Sequence, residues 1–281
     1  MQPLSNKKRR WHLYTFSLLF VALIPAVILF VQGYRLGSDF SLVRVGGIYI
    51  GGVDSDTEIF LESMVQNGTR SMKQGFFIDG LYPGKYLVSV KREGFTSWSK
   101  DVVVYGEKVT EVYPMIVPLT IAVHEIPRQI ESQRGFFGSA TSTGGGTNAL
   151  FLEVFRLFEK DENSTPSTRR SVMIWKNGRD IQYRWLGSAM QGAPSFCGIQ
   201  LCIATSTAYT TLEPVSRIDF YPGRNDVVLL GLASGLYALE IDSRPPQHLI
   251  QIYSGKNIDF RVEDNETVYI KDGQKLFQAE I

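Results

Sequence analysis

Residues 77–119 read FIDGLYPGKYLVSVKREGFTSWSKDVVVYGEKVTEVYPMIVPL. In Tyr82-Pro83-Gly84-Lys85 the proline presets φ for the second turn position and the glycine supplies positive φ for the third, so a type II turn and a chain reversal are predicted. The following run, Tyr86-Leu87-Val88-Ser89-Val90, alternates. Tyr86, Val88 and Val90 therefore share one face of a strand, and Glu93-Gly94 turns the chain again. Asp101–Tyr105 and Lys108–Val117, joined by Gly106-Glu107, are expected to complete a meander. Upstream, Val43-Arg44-Val45, Ile48-Tyr49-Ile50, Glu58–Leu61 and Gly75–Gly80 repeat the pattern of short apolar runs bounded by Gly, Pro, Asn and Asp. Strands and tight turns are the reading for residues 39–118.

The pattern is different before residue 33. Trp11–Gln32 carries no Asp, Glu, Lys or Arg, and as a helix it is long enough to span a hydrocarbon layer of about 30 Å. Each Leu, Ile, Val or Phe near the bilayer centre contributes roughly −0.3 to −0.6 kcal/mol, which outweighs Thr15, Ser17 and Pro25. A cleavable signal peptide has a shorter apolar core followed by a small-x-small site, whereas Val31-Gln32-Gly33-Tyr34-Arg35 follows here. The segment is read as an uncleaved transmembrane helix over residues 12–33, in contact with the lipid bilayer. Lys7-Lys8-Arg9-Arg10, in a basic tail over residues 1–11, should stay cytoplasmic under the positive-inside bias. That places the rest of the chain outside a plasma membrane crossed once.

Bulk composition narrows the function classes. The chain has 281 residues, 29 Lys and Arg against 28 Asp and Glu, and a formal charge of +1, so no extended basic field points to nucleic acid. Twenty-six Gly and 12% aromatic residues lean towards β structure. The two cysteines exclude a disulfide-dense scaffold and a four-cysteine zinc site.

Within residues 33–119 the motifs resemble a PEGA domain. They are the D-G turn at Asp79-Gly80, the P-G-x-Y turn at Pro83–Tyr86, Gly94-Phe95, Trp98 and the Val102–Val104 strand. The preceding GYRLGSDF and GGIYI are similar to the membrane-proximal lead-in of anchored bacterial PEGA proteins. The tetrapeptide that names the family is replaced here by Asp54-Ser55-Asp56-Thr57. The resemblance implies a β-sandwich used in surface layers or envelope binding, without a known catalytic role.

Residues 119–281 form a second region. Gly138–Asn148 and Glu159–Arg170 read as solvated loops, and a phosphate cradle in the first would require a G-K-[ST] ending it does not have. Leu150–Leu157, Val172–Trp175, Ile199–Ala204 and Val227–Leu232 are apolar runs of strand length. An ungapped repeat runs through the C-terminal part: Ile218-Asp219-Phe220 recurs as Ile258-Asp259-Phe260, Asn225 as Asn265, Val228 as Val268, Leu236-Tyr237 as Leu276-Phe277 and Glu240-Ile241 as Glu280-Ile281. A period near 40 residues is the length of a four-stranded propeller blade. The expected fold is therefore mainly β: transmembrane helix, PEGA-like β-sandwich, then propeller-like meander repeats with units at 218–241 and 258–281. A partial propeller, a shortened ring and an open stack of meanders all fit. Equal residues at one offset predict equal strand registers in the two copies.

Chemical candidates are few. His12, His124 and His248 form no H-E-x-x-H, no G-x-S-x-G or S-x-x-K occurs, and Ser195 reads as turn punctuation. Asp219 and Asp259, being repeated, are expected to bond backbone donors. No cofactor or metal motif emerges. Cys197 and Cys202 can pair outside the cytoplasm, or remain a small buried pair. Trp98, Trp175 and Trp185 are the leading binding aromatics, with Tyr105, Tyr113, Phe136, Phe137 and Tyr183 behind them; core packing is the competing role for each. The sequence thus points to a non-catalytic envelope binding or scaffold protein with a protein or polysaccharide partner. A cell-wall-active hydrolase and an accessory subunit of a membrane secretion or transport assembly are the alternatives.

Overall fold

The structure is a computed structural model that describes residues 6–37, 39–66, 69–71, 75–128, 145–159, 166–188, 192–197, 204–263 and 267–281. Helix α1, Asn6–Val31, carries the apolar run as one continuous helix through Pro25. It is long and apolar enough to cross a membrane, and none of its apolar window is buried against the rest of the chain. Gly33, at φ 82, ends it in the left-handed conformation that suits a residue without a Cβ.

Ten short strands follow: β1 (Tyr34–Leu36), β2 (Leu42–Arg44), β3 (Gly46–Gly51), β4 (Glu58–Leu61), β5 (Met64–Val65), β6 (Thr69–Ser71), β7 (Gly75–Leu81), β8 (Gly84–Lys91), β9 (Trp98–Val104) and β10 (Val109–Val112). β1 and β2 pair alone; the others form two four-stranded sheets, ordered β10-β3-β7-β6 and β5-β4-β8-β9. Ile48, Ile50, Val88, Val90, Trp98, Val102 and Val112 fill one core shared by both sheets. The alternation predicted for Tyr86, Val88 and Val90 is present.

Two turns behave differently from the prediction. Gly84 does not take positive φ; Gly80 does, at 70°. β7 and β8 then lie in different sheets, so Pro83-Gly84 carries the chain across the core instead of closing a hairpin. Likewise β10 leaves β9 and pairs in parallel with β3, with Val112 opposite Ile50. Strand patterning specifies faces but not neighbours, and alternating apolar residues are served equally by either sheet.

The second region contains β11 (Ala122–Ile126), α2 (Gly145–Glu159), β12 (Ser167–Arg169), β13 (Val172–Asn177), β14 (Asp180–Trp185), β15 (Ser206–Thr210), β16 (Arg217–Phe220), β17 (Val227–Leu232), β18 (Gly235–Glu240), β19 (Leu249–Ser254), β20 (Asp259–Val262), β21 (Val268–Asp272) and β22 (Lys275–Glu280). Three antiparallel four-stranded sheets result: β12 to β15 in order, β16 to β19 in order, and β20-β21-β22 completed by β11. The middle sheet is buried on both faces. Val227, Leu229, Leu236 and Ala238 join the core of the first region, and Val228, Leu230 and Leu239 pack with the β12–β15 sheet. This explains why Val227–Leu232 reads as a continuous apolar run with no alternation.

Helix α2 corrects two expectations. Gly145–Asn148 belongs to it rather than to a loop, and Leu150–Leu157 is helical rather than extended. Phe151, Val154, Phe155 and Phe158 recur at helical spacing and pack against Ile126, Tyr269 and Leu276. Ser167–Arg169, expected in a loop, is strand β12. Ile199–Ala204 lies outside the described residues except Ala204.

The repeat is present, with one departure. Pairing of β17 with β18 places Val228 opposite Leu239, and pairing of β21 with β22 places Val268 opposite Ala279, the same register 40 residues on. The preceding strands differ. Phe220 faces Val228, whereas Phe260 faces Ile270 rather than Val268, a slip of two residues. Equal registers throughout are therefore not found. An even slip leaves the same side chains on the same face, and Phe220 and Phe260 both stay buried.

Candidate functional site

Four consecutive residues of edge strand β9 are bound by the segment that leaves β18. The Trp98 indole Nε1 donates to Glu240 Oε1 at 3.1 Å, and Lys100 Nζ donates to Glu240 Oε2 at 2.7 Å and to the Asp242 carbonyl at 3.1 Å. His248 Nε2 lies 2.7 Å from the Ser99 carbonyl, and the Asp101 amide donates to the Pro245 carbonyl at 2.7 Å. The alternation that turns Trp98, Val102 and Val104 inward also turns Lys100 inward, and its side chain is wholly buried. Burial pushes the Glu240 carboxyl up to about 7, against the opposing pull of the Lys100 charge. Burial likewise lowers the His248 pKa. The pair joins the two regions and is closed to solvent, so its role is cohesion.

A cleft of 810 Å³ opens where the two regions and the β12–β15 sheet meet. Its walls include Gly51 and Gly52 at the end of β3, Glu111 in β10 and Tyr113 just beyond it, Arg170 and Trp185 from the β12–β15 sheet, and Arg224 with Asp226 from the β16–β17 loop. The Tyr113 ring lies on Gly51, where an added Cβ would come within 2.3 Å of it. Its hydroxyl is 3.4 Å from Glu111 Oε2, and burial, then the Glu111 charge, raises its pKa.

The two arginines differ. Arg224 is saturated: it binds both Asp226 oxygens, at 2.8 and 2.6 Å, and the carbonyls of Pro114 and Tyr113 at 2.7 and 3.0 Å. Burial opposes its charge, but the Asp226 hydrogen bonds and charge outweigh that and raise its pKa. It is a strut across the floor. Arg170 is exposed and makes no hydrogen bond or ion pair among the described residues. It occupies the two-residue loop between β12 and β13, where Arg170 and Ser171 hold φ of 45° and 64°. Such loops favour Asn-Gly, so a non-glycine pair there is strained, and strain of this kind collects at functional positions. A guanidinium, a phenol and an indole edge thus face one space that can hold a polar ligand with a flat or ring-shaped portion.

No family model matches the chain, and no curated protein matches it. Among solved structures, the AfRom2 CNH domain is similar over 76% of this chain and 70% of that one, at 12% identity and a TM-score of 0.26. A likeness at that level carries no argument about function.

The sequence-predicted residues fall in separate places. Trp98 is 1% exposed and bonded to Glu240, so it is a core residue and not a ligand platform. Trp175 donates to Gln182 Oε1 at 2.9 Å on a sheet face away from the cleft. Trp185 lines the cleft with most of its ring buried. Tyr183 packs edge-on against Phe196 in the core, and Phe136 and Phe137 lie outside the described residues. Cys197 is disulfide-bonded; Cys202, its expected partner, lies outside the described residues.

Asp219 and Asp259 do bond backbone: each accepts from the amide of the phenylalanine that follows it, at 2.8 Å. Each also reaches the preceding sheet, Asp219 through Ser167 and Asp259 through Arg217, both at 2.8 Å. Arg170 was not singled out by sequence. Its signal was the Arg-Ser pair standing where a tight hairpin favours Asn-Gly, visible only once β12 and β13 are known to pair.

Proposed function

We propose that this chain is a non-catalytic binding or scaffold protein of the bacterial envelope, held in the membrane by α1, whose ligand is an envelope polysaccharide or protein seated in the cleft. The observation that carries it is the open cleft at the junction of the two regions, with Arg170 unpaired among the described residues beside Tyr113 and Trp185. The PEGA-like motifs of residues 33–119 support the same reading. So does the stacking of the three meanders, the second and third each tied by an aspartate on its first strand to the one before, as blades of a partial propeller would be.

The test uses the full chain in detergent, with purified cell-wall polysaccharide and solubilised envelope protein presented separately. Tyr113→Ala combined with Arg170→Ala should weaken retention on one of them about thirtyfold, since an aromatic anchor and a charged contact each contribute on the order of 1 kcal/mol. Unchanged retention with an unchanged melting temperature sinks the cleft as the site. Trp185 is unsuited to this test because its ring also belongs to a core.

The membrane arrangement has its own expected result. With Lys7–Arg10 inside, protease added to spheroplasts should remove the chain beyond about Gly33. Protection of that part together with loss of the first ten residues would reverse the orientation.

A further inference from the structure

The β1–β2 hairpin begins three residues after the last residue of α1 and is pinned to the helix end. The Val45 amide donates to the Gly33 carbonyl at 2.9 Å. Arg35 Nη1 donates at 3.0 Å to the Phe30 carbonyl, a helix-end acceptor that also takes the Gly33 amide at 3.1 Å, and its guanidinium lies 3.8 Å over the Phe30 ring. Register places Leu36 opposite Leu42 and Tyr34 opposite Arg44, so all four share one face. Leu36 and Leu42 are 56% and 55% exposed. The Arg44 guanidinium lies 4.6 Å over the Tyr34 ring on the same face.

Beyond this pair the chain turns tightly. The Gly37 amide donates to the Ser41 carbonyl at 2.8 Å, and the Asp39 carboxylate accepts from the Ser41 amide and hydroxyl at 3.2 and 2.6 Å. Phe40 is held there at φ 61, strained for an aromatic residue, with its ring 83% exposed. Both strands of the hairpin are fastened to the body: the Tyr82 hydroxyl donates to the Leu36 carbonyl at 2.9 Å, and Arg44 pairs with Glu107.

We propose that this hairpin is a lipid-binding collar, with Leu36, Phe40 and Leu42 seated in the outer boundary of the bilayer that α1 spans. The proposal rests on α1 being a retained span. Three residues of chain reach about 10 Å, so a helix that ends at the edge of the hydrocarbon puts the hairpin within the headgroup layer. An aliphatic pair and a ring turned towards solvent are anomalous in water and suited to that layer. A tyrosine and an arginine stacked beside them match the residues that populate membrane interfaces. The collar would fix the tilt of the body over the membrane, because Tyr82 and Glu107 connect it rigidly to the two sheets that follow.

The test uses the full chain in phosphatidylcholine–phosphatidylglycerol vesicles, with Trp11→Phe in the background and Phe40→Trp as the reporter. The emission added by Phe40→Trp should fall at least twofold in lipids brominated near the top of the acyl chain, and aqueous iodide should leave it little changed. Iodide quenching without bromolipid quenching, in a chain that resists alkaline carbonate extraction, overturns the collar alone. Release by carbonate overturns the span and the collar together. Adding Leu36→Asp and Leu42→Asp to the reporter chain should restore iodide access while leaving the melting temperature in detergent unchanged; continued protection from iodide would show that the face is covered by protein and not by lipid.

Discussion

Replacing Lys100 with methionine is expected to destabilise the full chain by about 3–5 kcal/mol at pH 8, as removal of one partner from a buried ion pair does. Glu240 would remain 2% exposed, with only the Trp98 indole donating to it. Adding Glu240→Gln removes the stranded charge and keeps an acceptor for Trp98, so the double variant should recover most of the loss. Equilibrium unfolding in urea checks both. A Lys100→Met cost below about 1 kcal/mol, or a double variant no better than the single, would refute the account of the pair.

The same site gives a pH dependence. In the folded chain Glu240 titrates at about 7 against an ordinary value of 4.5, because burial outweighs the opposing Lys100 charge. The folded state then binds this proton more tightly than the unfolded state. The contribution to stability is full below pH 4.5 and is lost as pH rises through about 7. Glu240→Gln should remove that falling slope, measured as the difference between variant and wild type so that other carboxylates cancel. In Lys100→Met the penalty should be smaller at pH 5 than at pH 8, because protonation discharges the orphaned group.

Truncation of either repeat phenylalanine is the second large effect. Phe220→Ala and Phe260→Ala should each cost about 3–5 kcal/mol, the range for losing a buried aromatic from a packed core. Phe220 packs in the cluster shared with the β12–β15 sheet, and Phe260 in the one that joins the middle sheet to the first region. The two losses belong to different clusters and should add to within about 0.5 kcal/mol. Strong non-additivity would mean that the sheets do not pack as successive separate layers. A small loss at one site alone would mean that the two-residue slip of β20 has taken Phe260 out of its equivalent role.

What could be read from the sequence was what periodicity and local chemistry determine. The uncharged run of α1, the inward faces of β8 and the β17–β18 hairpin recurring as β21–β22 all follow from the spacing of side chains. Pairing partners do not. Nothing around Pro83-Gly84 or Gly106-Glu107 tells a strand which sheet to join, and β11 finds β22 across most of the second region. Helix α2 was missed because seven apolar residues among Leu150–Phe158 mask the helical period; Phe151, Val154, Phe155 and Phe158 stand out only against the surface they cover. The core role of Trp98, one of two the sequence leaves open, needs the fold for a related reason. Its partner, Glu240, has a repeat counterpart in Glu280, and only the fold shows that one is buried against Lys100 while the other is 71% exposed.

Strand β11 has a consequence for how the protein is made. It completes a sheet whose other strands come much later in the chain, and Glu125 meets Lys275 across 150 residues. During synthesis β11 is made long before β22 and waits with an open edge until β22 follows. A long wait with an unpaired strand favours slow assembly and pairing with the wrong neighbour. An interruption of synthesis between β11 and β22 would leave this sheet unclosed, a state that a chaperone or protease would meet as an exposed strand edge.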